Sequence, residues 1–589
     1  FERLCTEGPG EDGVAQVRFI DALKYEYKQG DRINAYVRME KISEERYACD
    51  MFYVLFEGMF KVRTSSNKVV VKKLLDMIDV SASWHYGNFN GKVIPVNWFY
   101  TGPNIFKDPL DGTQLSLGHQ RKLLPNVLHK RFFNFTIPNQ LLESTCIHSL
   151  AKHTELPPTV GKWETPTTPD SMRDFSFLDT SIRYTISWRF VGKASYYGVK
   201  PEKSKNEKTK VTNSDGDEFL ILRGDQVPVR IVEEIKRDDD TEMSAYLGNR
   251  LYYENFLSRI DEVLEEDVGL EPMLSAGSFS SNITPAMSPL ASNPSASDEF
   301  VKFQQLYRPS RGKKMEIPSS TFYKVVLPIE KRTLGSTKYM GSLVLSTPKH
   351  PHVIRYIPPK QFRGDDVDNS SWKFGVPIEL ELVFPTSKEI SASKLPEVKS
   401  IDVELIAFSL KFHNGPILIE FTYDMIFSNK NVRNEDYLED TILKNLKKKL
   451  KRLKNLSRKV GPNFRMDVQL AQDLETMCTL KTKVMKLSVD PPEIWSIGAE
   501  KKFQNINEIP WSYEGEGFKS NKKRFELKID LTTSKFKGES GQLKASYDSF
   551  CLIPHFQLCH LARFYFLKVT MHLKKGEVIL VNLPVEIDK

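Results

Sequence analysis

Catalytic signatures are missing from this sequence. No Gly-x-Ser-x-Gly elbow, Walker loop, His-Glu-x-x-His pair or Gly-x-Gly-x-x-Gly turn occurs in its 589 residues, and the eleven histidines do not group with carboxylates at metal spacing. Such motifs activate nucleophiles, cradle phosphates or hold zinc, so without them an enzyme is not expected. Cysteine is scarce too. Cys5, Cys49, Cys146, Cys478, Cys551 and Cys559 form no C-x-x-C pair and no dense framework, which favours reduced thiols in the cytosol. The tightest grouping, Cys551, His555, Cys559 and His560, sits in apolar, strand-like surroundings and reads as core, so neither metal nor any other cofactor is expected. No apolar run approaches the ~20 residues that a spanning helix needs. The chain starts at Phe1 with no methionine and no charged-then-apolar leader, which suggests a trimmed piece of a longer protein. Charge of one sign is in small excess. A net +8 spread over this length calls for no nucleic acid, and only local clustering could identify an anionic partner.

What is present suits a folded β protein. Aromatic residues make up 11% and hydrophobic residues 40%, while 33 prolines and 31 glycines supply many strand ends and turns. The length fits roughly four domains, or two large sandwiches with long loops.

The stretch from Leu123 to Ser144 organises the first half. Phe133, Phe135 and Ile137 alternate with Asn134 and Thr136, the period of a half-buried strand, and Pro125 and Pro138 mark where pairing stops. It reads as the middle of a sandwich sheet. Before it, the alternating runs on either side of Gly30-Asp31 form a hairpin pattern, followed by the strand-like Met51 to Met59. After it, Ile182, Tyr184, Ile186, Trp188 and Phe190 alternate with Arg183, Thr185, Ser187 and Arg189. Between Tyr196 and Arg311 the pattern lapses. Residues Asn249 to Glu266 carry Phe256, Leu257, Ile260, Val263 and Leu264 at helical spacing, whereas Leu274 to Ser297 has too little apolar surface to offset its ordering entropy. Thr284 and Ser288, each before a proline, are candidate phosphorylation sites in that stretch. Phe322 to Ile329 resumes a strand that would close the first sandwich.

A second strand set runs through Tyr339–Thr347, Val376–Phe384, Ile401–Phe412, Phe525–Leu531, Arg563–Leu573 and Val578–Ile587. Within it, Asn434 to Val460 reads as a helix. Asn434 is a candidate cap, Leu438, Ile442, Leu443, Leu446, Leu450 and Leu453 recur at three and four residues, and Gly461-Pro462 ends it. Its other faces carry Lys444, Lys447, Lys448, Lys449, Lys451, Arg452 and Lys454. Two readings stand side by side: a brace with a solvated lysine face, or a contact for an anionic membrane or an acidic protein tail.

Several of these segments resemble arrestins in family order. Tyr27, Gly30, Asp31, Ile33, Ala35 and Val37, then Val54, Phe56 and Gly58, match the opening of arrestin N-domains. Leu124, Pro125, His129, Phe133, Phe135, Ile137, Pro138, Leu142 and Ser144 match the central segment, with Val127 where the family has glycine and no proline beside Leu142 where the family has one. Ile553, Pro554 and Phe556, then Tyr565, Leu567, Lys568, Val569, Leu573 and Gly576, then Leu583, Pro584, Val585 and Ile587 match the end of arrestin C-domains. The resemblance implies a mainly β protein. Tandem immunoglobulin-like sandwiches are expected over 1–335, with an insertion at about 196–311, and over 336–589, with a helical insertion at about 430–475, joined near Leu334 to Lys338.

The size, the basic helix and the run Lys72 to Phe89 look most like the fungal Bul family of arrestin-like adaptors. That resemblance implies a protein that links a HECT-type, WW-domain ubiquitin ligase to plasma-membrane permeases, promoting their ubiquitination, endocytosis and sorting. It also implies a cytoplasmic location, peripheral at the plasma membrane and endomembranes. The ligase-binding Pro-Pro-x-Tyr is absent here, since Pro157-Pro158, Pro358-Pro359 and Pro491-Pro492 lead to Val160, Gln361 and Ile494, and the motif is expected before Phe1. The competing reading is a retromer-type sorting subunit that shares the sandwich pair and recruits no ligase.

Overall fold

The computed structural model describes residues 14–20, 26–40, 47–48, 51–63, 69–83, 107–115, 122–123, 126–141, 146, 148, 150–161, 174–193, 219–232, 239–274, 321–333, 336–383, 396–412, 416–427, 437–498, 501–514, 520–536 and 546–588. The expected class holds: antiparallel sheets dominate, helices are few, and the architecture is an arrestin-like β-sandwich arrangement. The chain divides into two compact units.

The first unit comprises Phe1–Glu143, Leu156–Thr165 and Leu178–Glu233. Its strands are β1 (Val14–Phe19), β2 (Arg32–Glu40), β3 (Tyr47–Ala48), β4 (Met51–Arg63), β5 (Val69–Ile78), β6 (Lys122–Leu123), β7 (Leu128–Thr136), β8 (Thr180–Lys193) and β9 (Phe219–Val229). One sheet has the order β1-β2-β7 and the other β5-β4-β8-β9. The alternation predicted for β2 is observed, with Ile33, Ala35, Val37 and Met39 buried between more exposed neighbours. The two sheets meet through aromatic rings, Phe56 of β4 lying 5.7 Å from Phe135 of β7.

Strand β7 does not lie in the middle of its sheet. It pairs with β2 on one side, and on the other, among the described residues, Gln114 alone bridges it, its carbonyl accepting from Lys130 N–H at 2.8 Å. Alternation identifies a buried face but says nothing of how many neighbours flank the strand. The three residues before its alternating part, His129, Lys130 and Arg131, are all buried. Lys130 Nζ donates to Asp108 at 2.8 Å and Asp111 at 2.5 Å, while Arg131 donates to the Ala82 and Ser81 carbonyls. Val127 needs no glycine because the left-handed position falls one residue earlier, at Asn126 (φ 57°).

Gly58 shows why this strand takes a glycine. A Cβ there would meet the Tyr184 ring at 2.7 Å, and that ring is fixed by its hydroxyl donating to the Pro157 carbonyl at 2.7 Å. The outer face of β4 and β8 is also closed: Glu57, buried, accepts from Ser187 at 2.6 Å and Arg189 at 2.9 Å.

The second unit comprises Ser144–Glu155, Pro166–Phe177 and Glu234–Lys589. Its strands are β10 (Phe322–Thr333), β11 (Ser336–Pro348), β12 (His352–Arg355), β13 (Lys373–Val383), β14 (Val398–Lys411), β15 (Lys481–Val489), β16 (Glu493–Trp495), β17 (Lys502–Phe503), β18 (Ser512–Glu514), β19 (Ser520–Asp530), β20 (Lys535–Phe536), β21 (Phe556–Gln557), β22 (Leu561–Leu573) and β23 (Val578–Asp588). One sheet has the order β10-β11-β13-β19-β16-β17, the other β12-β23-β22-β14-β15-β20. Strands β14, β22 and β23 are buried on both faces over most of their length, as near-continuous apolar runs require. Phe427 sits between the sheets, 6.2 Å from Tyr323 of β10 and 5.0 Å from Phe566 of β22.

Four segments fall elsewhere than the sequence suggested. Strand β10 does not close the first unit; it pairs antiparallel with β11 from Phe322↔Pro348 to Thr333↔Ser336, and both strands belong to the second unit, so the expected junction near Leu334 to Lys338 is not a boundary between units. Helix α2 (Asp239–Leu274), extending well beyond Asn249–Glu266, belongs to the second unit although its sequence position suggested an insertion of the first. Ser144–Glu155 and Pro166–Phe177 also join the second unit, where Arg563 donates to the Asp174 carbonyl at 2.7 Å and Phe175 packs 5.3 Å from Phe550. Periodicity marks which residues are buried, not which core receives them. The Ser/Asn/Pro-rich stretch with Thr284 and Ser288 lies outside the described residues, apart from Leu274.

Candidate functional site

The leucine pattern after residue 437 folds as expected on one side and differently at its start. Leu438 takes φ 65°, uncommon for leucine, and is followed by a π-type turn, Glu439–Leu443, before helix α3 (Lys444–Val460). Leu438 N–H donates to the Ile426 carbonyl at 2.8 Å, and the Leu438 carbonyl accepts from both Ile442 and Leu443, which ties the strained residue to the core. The candidate cap Asn434 lies outside the described residues. At the other end Gly461 (φ 64°) donates to the Ser457 carbonyl and closes the helix, as its position before Pro462 implied.

Leu438, Ile442, Leu443, Leu446, Leu453 and Leu456 are buried, and Leu450 is partly so. They pack with helix α4 (Val468–Cys478), which buries Leu470, Leu474 and Met477 and is capped by Asp467 accepting from Gln469 and Leu470 N–H. Helix α2 adds Phe256, Ile260 and Leu264, buried four residues apart.

The seven predicted contact residues separate into two groups. Lys447 Nζ lies 2.7 Å from Glu439, Lys454 lies 3.3 Å from Glu475 on α4, and Lys449, largely covered, pairs with Asp261 on α2. Lys444, Lys448, Lys451 and Arg452 are exposed and, among the described residues, have no acidic partner. Arg458 joins them. At 100° per residue these five cations fall within about 120° of arc, opposite the buried leucines. Like charges four residues apart, as at Lys444/Lys448 and Lys448/Arg452, cost an isolated helix ~0.2–0.5 kcal/mol per pair. Leucine packing carries that cost, and the result is a concentrated field that an anion of any kind would relieve.

A groove of about 570 Å³ elsewhere in the second unit is less open to partners of this kind, because its charges already pair: Lys568 with Glu404 at 3.0 Å and His572 with Asp402 at 2.9 Å. The Cys551, His555, Cys559 and His560 grouping does not assemble as one cluster. Cys551 faces the Tyr356 hydroxyl at 3.7 Å, while Cys559 lies with Cys146 and His153. No spacing in the sequence announces that second grouping. Among the described residues, no helix is long and apolar enough to cross a membrane.

Comparison with known proteins matches a family model described as "Bul1 N terminus" to residues 5–168 and 160–282, and one described as "Bul1 C terminus" to residues 374–589. Three proteins of Saccharomyces cerevisiae are similar. "Ubiquitin ligase-binding protein BUL2" is 24% identical over 483 residues, 70% of this chain and 50% of that protein. "Ubiquitin ligase-binding protein BUL1" is 30% identical over 200 residues, 29% of this chain and 20% of that protein, and "Bypass of stop codon protein 5" is 38% identical over 146 residues, 24% of this chain and 28% of that protein. The aligned parts thus span half or less of the length of these relatives. With models of both ends of one family matched across most of its sequence, this chain belongs to the Bul family.

Proposed function

We propose that this chain belongs to an adaptor that links a HECT-type, WW-domain ubiquitin ligase to plasma-membrane permeases and promotes their ubiquitination, endocytosis and sorting. The observation that carries the reading is the match of both family models, together with two relatives whose names describe binding to a ubiquitin ligase. The relatives are named for what they bind, not for a reaction, which supports an adaptor and not an enzyme. The exposed face of α3 supplies the cargo side: five cations that have no acidic partner among the described residues attract an acidic permease tail or the anionic membrane beside it, at the cytoplasmic face of the plasma membrane and endomembranes. Ligase contact through Pro-Pro-x-Tyr is assigned to sequence outside these residues.

The test uses the full-length protein in cells. Affinity capture should bring down a HECT ligase together with ubiquitinated permease, and loss of the protein should leave permeases at the plasma membrane when their removal is triggered. Capture of cargo with no ligase, and unchanged permease ubiquitination in its absence, would replace this reading with a retromer-type sorting subunit.

A further inference from the structure

The second unit holds a cluster of soft ligands that the adaptor reading does not use. Cys146, His153 and Cys559 are 4%, 1% and 7% exposed, and their ligand atoms all lie within 4.8 Å of one another. They come from distant parts of the chain. Cys146 precedes the one-turn helix α1 (Ala151–Thr154), His153 lies on it, and Cys559 sits in the turn between β21 and β22. The segment is held in place independently of the cluster, since Lys152 N–H donates to the buried Glu420 at 2.9 Å and His148 lies 3.5 Å from Asp473 of α4.

We propose that Cys146, His153 and Cys559 form a binding site for a soft metal cation, with zinc as the ion it takes. Cys146 Sγ stands 3.6 Å from His153 Nδ1. Zinc bonds of about 2.3 Å to sulfur and about 2.0–2.1 Å to nitrogen place a tetrahedral S···N edge at about 3.6 Å, so this edge is already set. Two thiolates and a neutral imidazole balance a divalent charge, which a buried site requires, and the sulfur–nitrogen set favours zinc over magnesium or calcium. Binding releases the two thiol protons to solvent. Among the described residues, His153 Nε2 has no hydrogen-bond partner, and its Nδ1 faces the Cys146 sulfur. So poorly bonded a buried ring is costly, and a metal bond to one of its nitrogens offsets that cost. Three protein ligands leave a fourth position for water. The ion fastens the α1 segment to the β21–β22 turn.

The experiment titrates the full chain, purified reduced and stripped by chelation, with cobalt(II) and then zinc. One cobalt per chain should bind, with thiolate-to-metal charge-transfer absorption and intense tetrahedral d–d bands, and one equivalent of zinc should displace it. Bound zinc should also shield Cys146 and Cys559 from alkylation, read peptide by peptide by mass spectrometry, a result that needs no variant to fold. Cys146→Ser, His153→Asn and Cys559→Ser should each weaken binding by more than the ~10–100-fold typical of losing a supporting group, whereas Cys478→Ser leaves it unchanged. Failure of the unsubstituted reduced chain to take up either metal overturns the proposal. So does recovery of Cys146 and Cys559 as a disulfide with no metal in either redox state, or full binding by all three ligand variants.

Discussion

Replacing Lys444, Lys448 and Lys451 by glutamine separates what the basic face does from what the helix does. All three are exposed and, among the described residues, without acidic partners, so no ion pair described here is lost. Each basic residue near an anionic surface contributes ~1 kcal/mol, so the triple variant forgoes ~3 kcal/mol, or about two decades of affinity. Stability should move the other way. The substitution removes the repulsions of Lys444/Lys448, Lys447/Lys451 and Lys448/Arg452, each worth ~0.2–0.5 kcal/mol, and glutamine is nearly as good a helix former as lysine. Flotation with vesicles of mixed anionic and neutral lipid, and pull-down by acidic permease tails, measure the loss; thermal unfolding measures the gain. Binding by the unsubstituted chain should also fall between low and physiological salt, where exposed charges are screened over ~8 Å. Unchanged attachment to both probes would refute the charge argument, leaving the helix as a brace. A fall of several degrees in unfolding temperature would show that the lysine stems are packed.

Gly58→Ala should cost ~1–3 kcal/mol, because the new methyl group enters the Tyr184 ring in a closed core; a urea midpoint equal to that of the unsubstituted chain would show that the ring can yield. Leu453→Ala should cost ~2–5 kcal/mol and loosen α3 while all its cations remain, so hydrogen exchange of the helix should rise; unchanged exchange would deny the leucines their anchoring role. Lys523 is buried over Trp511, donating to the Ile506 carbonyl at 3.1 Å, and burial lowers its ammonium to about 8. The unfolded chain keeps that proton to a higher pH, so the cost of the buried charge is full below pH 8 and is relieved as pH rises toward 10.5. Lys523→Met should therefore be more stable at neutral pH and lack this part of the alkaline gain; an identical pH profile would refute the assignment.

Strand content was legible wherever one face is buried, as in β2 and β8, because a period of two reports burial directly. The leucine stripe of α3 was legible for the same reason at a period near 3.6. Partnership was not. Nothing local tells that Lys447, Lys449 and Lys454 meet Glu439, Asp261 and Glu475 while Lys448 meets no acid among the described residues, since two of those acids stand on other helices. The ring-on-glycine contact of Tyr184 and Gly58 left a trace only as two positions of an arrestin-like pattern. The Cys146, His153 and Cys559 cluster left none, because ligands brought together by tertiary folding have no spacing to recognise.

The assignment of Ser144–Glu155 to the second unit sets a timetable for synthesis. The ribosome delivers His153 about 400 residues before Cys559, an interval of ~20–80 s at ~5–20 residues per second. Until then Cys146, Leu150 and His153, which end up deeply covered, have no final home. The first unit has all its residues once Glu233 is made, but the early segment Ser144–Glu155 waits, with reactive and apolar side chains available to chaperones, for the last strands of the second unit to emerge.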